Sequence, residues 1–401
     1  MEQTCVHNES GTGLCRKCRL INSFVDIKPQ VKLHFSGPSP PEIFVGRIGY
    51  PTINAGILAP PSYDSKHDEL NSAKEWAKHN LSIANVLRLR GQMVYGRNKV
   101  HIKKRSQLQS VMNELALTHK KVSSEFFLHK KPSYASYNIS GIVKPMTNPA
   151  PIKKVLLEEN TEVHKKVDYM VNDTDVKATQ ALAELAHTID VDHMQKLLSA
   201  GLLGEEKRRK MVPTRWSITA VDDTISKQLL EDIRHYTEID EIQLLEGEYV
   251  GNYVRILMLP GQFSFEAIEV WEDEDNVHMD NNPTFAQDYE GYYGRKTYAQ
   301  NITGGYYAMR LPACEYLQNI KKQGVVFVFR EITNEYYAPL GVGIVREATR
   351  RAIQSTPKIF DTKEAAIHYI KSTQKLKHDY LQRSWVLENY NKQRRLKDFL
   401  S

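Results

Sequence analysis

The sequence contains few cysteines and no long apolar run. Only four of its 401 residues are cysteine, and three of these lie within the first eighteen positions. Since the chain also shows no apolar secretory leader, a scaffold built on disulfides is excluded. No apolar stretch approaches the roughly 20 residues that a membrane-spanning helix needs. We therefore expect a protein without a membrane partner that stays in the cytoplasm, where it is made.

Several sequence signatures of enzymes are also absent. The chain contains neither a Walker phosphate-binding loop nor the glycine fingerprint of dinucleotide-binding proteins. It contains no Gly-x-Ser-x-Gly nucleophile elbow and no His-Glu-x-x-His metal-binding helix. These absences exclude the enzyme classes that such motifs identify, and they leave open whether the chain is an enzyme at all.

Charge is distributed unevenly along the chain. Residues 97–131 carry nine basic and two acidic side chains, whereas residues 238–275 carry eleven acidic and one basic. Residues 371–401 are again basic, with eight Lys or Arg against three Asp or Glu. A basic segment of this kind can follow the phosphates of DNA by releasing counter-ions. Two solvated helix faces would give the same pattern, so charge alone leaves both readings open.

The cysteines near the N-terminus have the spacing of metal ligands. Cys5 and His7 form one pair, and Cys15 and Cys18 form a second pair after a glycine-rich connection. Two such pairs can close a tetrahedral zinc site. A redox-active Cys-x-x-Cys pair is the alternative, but no βαβ pattern surrounds it. The sequence therefore predicts a structural Zn²⁺ held by these four residues.

Helical and strand periodicities are mixed without regular alternation, which predicts an α+β fold with mixed or antiparallel sheets and packed helices. We expect a zinc-finger-like element at 1–28, a globular body at 29–388 and a tail at 389–401. A division of the body into two lobes would fall near 145–172, where prolines cluster. The predicted helices are Asp64–Gln92, Arg105–Lys121, Ala181–Ala186, His193–Leu203, Thr224–Tyr236, Met309–Gln323, Gly343–Gln354 and Thr362–Tyr380. The predicted strands are Val122–Val143, Glu238–Leu245, Tyr249–Leu259, Phe263–Trp271 and Val325–Ile332.

The C-terminal residues form a short apolar motif. Gln393 is followed, after two free positions each time, by Leu396 and then Phe399, with Leu400 directly after it. In one turn of 3₁₀ helix, residues three apart lie on the same side, so the apolar side chains would form one plug. This resembles the motif by which replication and repair proteins dock onto the DNA sliding clamp, PCNA. The alternative is a terminal helix that packs back onto its own domain.

Two further stretches contain side chains suited to nucleotide chemistry. Arg215 could bind phosphate, Trp216 could stack on a base, and Asp222 and Asp223 could hold a divalent metal or act as a general base. In the tyrosine- and glycine-rich stretch that follows residue 288, three residues could add stacking and charge. These are Tyr292, Tyr293 and Arg295.

These residues also have a purely structural interpretation. A Trp beside an Arg, as at Trp216 and Arg215, is typical of a buried ring against which the apolar part of the arginine packs while its charged end reaches solvent. Asp222 and Asp223, placed before a helix predicted from Thr224, would serve as a helix cap and a first-turn acid. A nucleotide is the cofactor that the functional interpretation would require.

Together these features resemble the archaeal NreA DNA-repair family over essentially the full length. The resemblance rests on the N-terminal cysteine cluster, the stretch 212–223, the tyrosine- and glycine-rich zone at 292–307 and the C-terminal motif. It implies a role in the DNA-damage response near the nucleoid of an archaeal cell. It also implies a zinc-finger-like N-terminus and recruitment to PCNA, with DNA as a second partner. The family's finger carries four cysteines, and here His7 takes the place of one.

Two functions are compatible with the sequence. The first is a DNA-repair protein that PCNA recruits through Gln393, Leu396, Phe399 and Leu400. The second is a clamp-tethered enzyme that processes nucleotides or nucleic acid at Arg215, Asp222 and Asp223.

Overall fold

A computed structural model describes residues 16–25, 31–39, 42–61, 72–104, 106–132, 140–272, 285–376 and 379–390. Within these ranges the chain forms mixed sheets and packed helices. The α+β prediction is thus confirmed. None of the described helices combines the length and the apolar character needed to cross a bilayer.

The chain divides into two compact units. The first contains the described residues up to Ile225 together with Tyr337–Gly341. The second contains Ser226–Tyr336 and the described residues from Val342 onward. Residues 145–172, where the sequence allows a division, lie inside the first unit.

The first unit is built on a six-stranded sheet. Its strands run in the order β1-β5-β6-β4-β3-β2, and β4 and β6 form the parallel pair of this sheet. The strands are β1 (His34–Ser39), β2 (Ile43–Val45), β3 (Thr52–Ala59), β4 (Val94–His101), β5 (Val122–Leu128) and β6 (Pro149–Leu157). The helices are α1 (Arg16–Val25), α2 (Ala73–Lys78), α3 (Ile83–Gly91), α4 (Gln107–Leu117), α5 (Lys165–Asn172), α6 (Ala178–Leu185) and α7 (Val191–Ala200), followed by the start of α8 (Thr214–Ile233).

Alternation along the strands gives this sheet two different faces. On β3 and β4, Ile57 and Val94 belong to the main core, which also contains the apolar side of α4. Their chain neighbours Leu58 and Tyr95 point to the opposite face and join a smaller apolar cluster with Met146. The second face therefore has its own apolar floor.

The second unit is also built on a six-stranded mixed sheet. Its order is β11-β10-β13-β9-β8-β14, and β10 and β13 form its parallel pair. The strands of this sheet are β8 (Ile242–Tyr249), β9 (Asn252–Leu259), β10 (Ser264–Trp271), β11 (Phe285–Glu290), β13 (Val325–Ile332) and β14 (Lys358–Phe360). Two short strands, β7 (Thr237–Glu238) and β12 (Lys322–Gln323), form a separate parallel pair. The helices are α9 (Gly304–Ile320), α10 (Val342–Ile353), α11 (Lys363–Thr373) and α12 (Trp385–Asn389).

A buried carboxylate attaches the last described segment to this sheet. Glu266 on β10 is fully buried and accepts hydrogen bonds from the backbone N–H groups of Trp385 and Val386, at 3.0 and 2.9 Å. Burial raises the pKa of this carboxyl above its usual 4.5, although the hydrogen bonds oppose that change. The first turn of α12 is thereby fixed to the strand, close to where the C-terminal tail begins.

Several sequence-predicted boundaries are wrong, each for a local reason. The helix predicted from Asp64 is interrupted, because α2 ends at Lys78 and α3 starts after its own cap, Ser82. The helix predicted from Thr224 begins ten residues earlier, at Thr214, directly after Pro213. Proline is well tolerated at a helix start because its missing N–H would be unpaired there. The strand predicted from Val122 ends at Leu128, and an unpredicted strand, β6, begins at Pro149.

One buried ion pair connects three segments of the first unit. Arg90, at the end of α3, donates two hydrogen bonds to the Glu42 carboxylate, at 2.6 and 2.9 Å. Its Nε atom donates to the Pro145 carbonyl at 2.9 Å. Burial alone would raise the pKa of the Glu42 carboxyl, but the charges of Arg90 and Lys144 outweigh it and hold that pKa below 4.5.

We predict that Arg90→Met destabilises the first unit by about 3–5 kcal/mol at neutral pH, because it leaves a buried carboxylate without its cation. Denaturant unfolding measures this change in the free energy of unfolding. In the wild type the pair stabilises the fold above about pH 4.5, and this contribution is lost as the pH falls through the lowered pKa of Glu42. The deficit of the variant should therefore shrink in acid.

Arg88→Met is the matched control, because Arg88 is exposed on the same helix. Equal stability of the two variants at neutral pH would contradict this role for Arg90.

Candidate functional site

The second face of the first sheet carries a cavity of about 340 Å³. This volume lies at the lower end of the range of small-ligand sites, about 300–1,000 Å³. The residues that line it and matter for its chemistry are Phe44, Arg47, Ile48, Tyr95, Arg97 and Arg215. It thus combines an apolar floor with three guanidinium groups.

Strand β4 supplies the floor and one of the cations. Tyr95 is buried, and its ring meets Phe44 edge to face at a centroid distance of 5.6 Å. Burial raises the pKa of the Tyr95 phenol, so its hydroxyl stays protonated. Arg97, two residues on and therefore on the same face, places its guanidinium 5.5 Å from the centre of the Tyr95 ring.

The turn between β2 and β3 forms the outer edge of the cavity. Arg47 is exposed there, and Ile48 keeps 86% of its surface in solvent. Gly49 has a φ of +84°, a conformation that glycine adopts without strain. At Gly46, a side chain would collide with the carbonyl oxygen of Asn54, since a Cβ would lie 2.8 Å from it. The two glycines therefore permit this turn.

The first turn of α8 supplies the third cation and an aromatic surface. Thr214 accepts a hydrogen bond from the backbone N–H of Val45 at 3.0 Å, which fixes the start of α8 to β2. Arg215 follows and lines the cavity. Trp216 is 46% exposed, and its ring lies 5.4 Å from that of Tyr50, centroid to centroid. An exposed aromatic pair therefore lies beside the arginines.

The fourth side of the cavity is formed by the segment 140–149. The Thr147 hydroxyl donates to the Arg90 carbonyl at 2.7 Å. The Asn148 amide donates to the carbonyls of Gly91 and Met93, at 2.6 and 2.9 Å. These bonds fix the segment to the end of α3, so the wall is held by buried polar contacts.

The structure separates the four candidates of the stretch 212–223. Arg215 lines the cavity, and Trp216 is the next residue in the first turn of α8. Asp222 and Asp223 lie in the middle of α8, and neither they nor Trp216 are among the residues that line the cavity. Seven residues of helix carry Asp222 about 10 Å further along the axis from Arg215. It is fully buried, and Asp223 is half-buried. Neither aspartate caps the helix, because α8 begins before them. The cavity thus gains an arginine from this stretch but no carboxylate.

The tyrosine-rich stretch belongs to the second unit. Tyr293 is 94% exposed and meets Tyr292 edge to face at 5.4 Å, while the Arg234 guanidinium lies 5.6 Å from the Tyr292 ring. Arg295 forms an ion pair with Asp288 at 3.0 Å, and its side chain is mostly buried. Arg295 therefore holds the loop that follows β11. Tyr293 is the exposed member of this group, and Tyr292 is half-buried.

The predicted metal and partner residues fall mostly outside the described part of the chain. Of the four predicted zinc ligands only Cys18 is described, half-buried on α1, while Cys5, His7 and Cys15 are not. The four residues of the C-terminal motif, Gln393, Leu396, Phe399 and Leu400, also lie outside it. Among the described residues, no group of three or more His, Cys, Asp or Glu could hold a metal ion. Zinc binding and clamp binding stay predictions.

Sequence reasoning assigned no functional role to the turn at 46–51 or to Tyr95. A signal was present, since Arg47 and Ile48 stand between two glycines and are followed by Tyr50. A cation beside a large apolar residue at the tip of a glycine turn offers a charge and an apolar surface to a ligand. Their convergence with Arg215, some 170 positions away in the chain, carries no local signal.

Comparison with known proteins identifies relatives over most of the chain. Residues 13–275 match the family described as archaeal Nre, N-terminal, and residues 290–399 match archaeal Nre, C-terminal. The chain is 33% identical to DNA repair protein NreB of Archaeoglobus fulgidus over 90% of both chains. It is 35% identical to DNA repair protein NreA of the same organism over 88% of both chains.

A third relative is DNA repair protein NreA of Haloferax volcanii, 32% identical over 78% of this chain and 77% of its own. No solved structure matches the chain. Matches of this extent at both ends, together with the resemblance found in the sequence, establish the family. This chain belongs to the archaeal Nre family.

Proposed function

We propose that this protein acts in DNA repair and binds DNA at the arginine-lined cavity of its first unit. The names of its relatives as DNA repair proteins support the general role. The observation that carries the proposal is the placement of Arg47, Arg97 and Arg215 around one cavity.

The chemistry of these side chains fits a nucleic acid. Guanidinium groups bind phosphate oxygens through paired, charge-assisted hydrogen bonds. The exposed Tyr50–Trp216 pair offers a surface on which bases can stack, a contact worth about 1–3 kcal/mol per base. Neighbouring cations and aromatic rings can thus bind the phosphates and the bases of one nucleic-acid strand. Because no carboxylate is among the described residues that line the cavity, the proposed role there is binding rather than hydrolysis.

We predict that Arg47→Ala and Arg215→Ala each weaken DNA binding and reduce the slope of log affinity against log salt by about 1, as expected for loss of one phosphate contact. Fluorescence anisotropy of a labelled duplex, titrated at several salt concentrations, measures both quantities. Arg88→Ala, which removes an exposed arginine away from the cavity, should keep the wild-type slope. Wild-type binding by both cavity variants would refute the proposal.

We further propose that the tail brings the protein to PCNA. Leu396, Phe399 and Leu400 would enter an apolar pocket of the clamp, and the Gln393 amide would fix their orientation at its rim. Glu266 supports this arrangement, because it fixes the first turn of α12 to β10 shortly before the residues of the tail. Delivery by the clamp would bring the DNA-binding cavity to its substrate.

We predict that the double variant Phe399→Ala, Leu400→Ala abolishes clamp binding measured by calorimetry, because it removes most of the apolar plug. The wild-type dissociation constant should be on the order of micromolar. Lys397→Ala, Asp398→Ala changes two of the four free positions of the motif and should bind as the wild type does. Equal heats for the wild type and the Phe399, Leu400 variant would show that the tail does not dock.

A structural zinc ion is the third element of the proposal. Cys5, His7, Cys15 and Cys18 would hold it as thiolate and imidazole ligands. Such a site would stabilise a segment too short to form a core of its own.

We predict about one zinc per chain in the purified protein, measured by elemental mass spectrometry. Cys15→Ala should lose the metal because three ligands rarely retain a structural zinc. Cys314→Ala should keep it, since Cys314 is buried on α9. A metal-free wild type, or full zinc content in Cys15→Ala, would remove zinc from the account.

A further inference from the structure

The turn at 46–51, which forms the outer edge of the cavity, exposes an apolar side chain to solvent. Ile48 is 86% exposed, yet it also lines the cavity beside Arg47. A single exposed apolar residue is ordinary on a protein surface. Tyr50, two positions further along the chain, and Trp216, whose ring lies against that of Tyr50, are also exposed, at 38% and 46%.

The turn holds Ile48 in place. The backbone N–H of Thr52 donates to the Gly49 carbonyl at 2.9 Å, and that of Gly46 donates to the Asn54 carbonyl at 2.8 Å. A side chain on a braced turn loses little conformational entropy when it binds. Ile48 is therefore pre-organised to enter a narrow apolar space.

The surrounding charge identifies the occupant as DNA rather than an apolar protein partner. Arg47, Arg97 and Arg215 converge on the cavity that Ile48 borders. An apolar protein surface offers these cations no negative charge to bind, whereas the two phosphates that flank a base step do. Between adjacent base pairs, the space is apolar and about one side chain thick, which suits isoleucine.

The cavity itself suits a single nucleotide. Its volume of about 340 Å³ is too small for a stretch of duplex. Phe44, Tyr95 and Met146 give it an apolar and aromatic lining, which suits the apolar faces of a base. A base that leaves its stack needs a pocket of this kind close to the point where it leaves.

We propose that Ile48 inserts between neighbouring base pairs of duplex DNA and that the adjoining cavity receives the nucleotide displaced from the stack. This inference rests on the proposed DNA binding at the cavity. The phosphates of the opened step lie against the arginines, and their attraction offsets the cost of unstacking, a few kcal/mol per step.

A duplex with 2-aminopurine at its centre tests the inference, because the fluorescence of this base rises when it leaves the stack. Anisotropy of the same duplex reports binding independently. The full-length wild type should raise the 2-aminopurine fluorescence severalfold at saturation. Ile48→Ala should abolish most of the rise and keep the affinity within about tenfold, since the phosphate contacts persist.

Ile48→Leu should retain the rise, because it keeps a side chain of the same volume. Ile359→Ala removes a half-exposed isoleucine from β14 in the second unit and should behave as the wild type. Duplex binding by the wild type without a fluorescence rise, or an unchanged rise in Ile48→Ala, would refute the insertion of Ile48 and leave the proposed DNA binding intact. Absence of any DNA binding by the wild type overturns both.

Discussion

The cavity of the first unit depends on the hydrogen bonds and the ion pair that the buried guanidinium of Arg90 makes. It joins the end of α3 to Glu42, just before β2, and to Pro145, in the segment that forms the opposite wall. Each partner would cost energy if buried alone, because a charge or a carbonyl without a partner is poorly solvated inside a protein. The three segments therefore stay together, and the cavity between β2 and the 140–149 segment keeps its shape.

This rigid frame explains how a small site combines opposite properties. The floor at Tyr95 is buried and uncharged, and the edge at Arg47 and Ile48 is exposed. The exposed groups would gain little by themselves in water, where arginine is well hydrated and isoleucine is not. In the proposed complex with DNA, the arginine would bind a phosphate and the isoleucine would lie within the base stack. Pre-organisation of this kind improves binding because it reduces the conformational entropy that is lost on association.

Much of the fold follows from sequence patterns alone. The strand Val325–Ile332 is correct at both ends and α10 is correct to within one residue, because long apolar periodicities set them. The sequence does not predict β6, because prolines such as Pro149 and Pro151 are typical of irregular connections rather than of strands. Both lie where β6 pairs in parallel with β4, and the residues of β6 from Ile152 onward pair antiparallel with β5, with one register shift.

The site was only partly predictable for a physical reason. Arg215 and Trp216 were found as chemistry-bearing residues, but Asp222 and Asp223 were grouped with them by nearness in sequence. A helix places residues seven apart about 10 Å from one another along its axis, so nearness in the chain does not make a site. Arg47 and Tyr95 reach the cavity only through strand pairing and the Arg90 contacts.

The most direct measurement of the central claim is photocrosslinking of the full-length protein to a duplex that carries a photoreactive thymine analogue, followed by mass spectrometry of the linked peptides. The account predicts adducts on the turn at 46–51 and on the first turn of α8, around Tyr50 and Trp216. Adducts confined to the second unit, for example at Tyr292 and Tyr293, would contradict it.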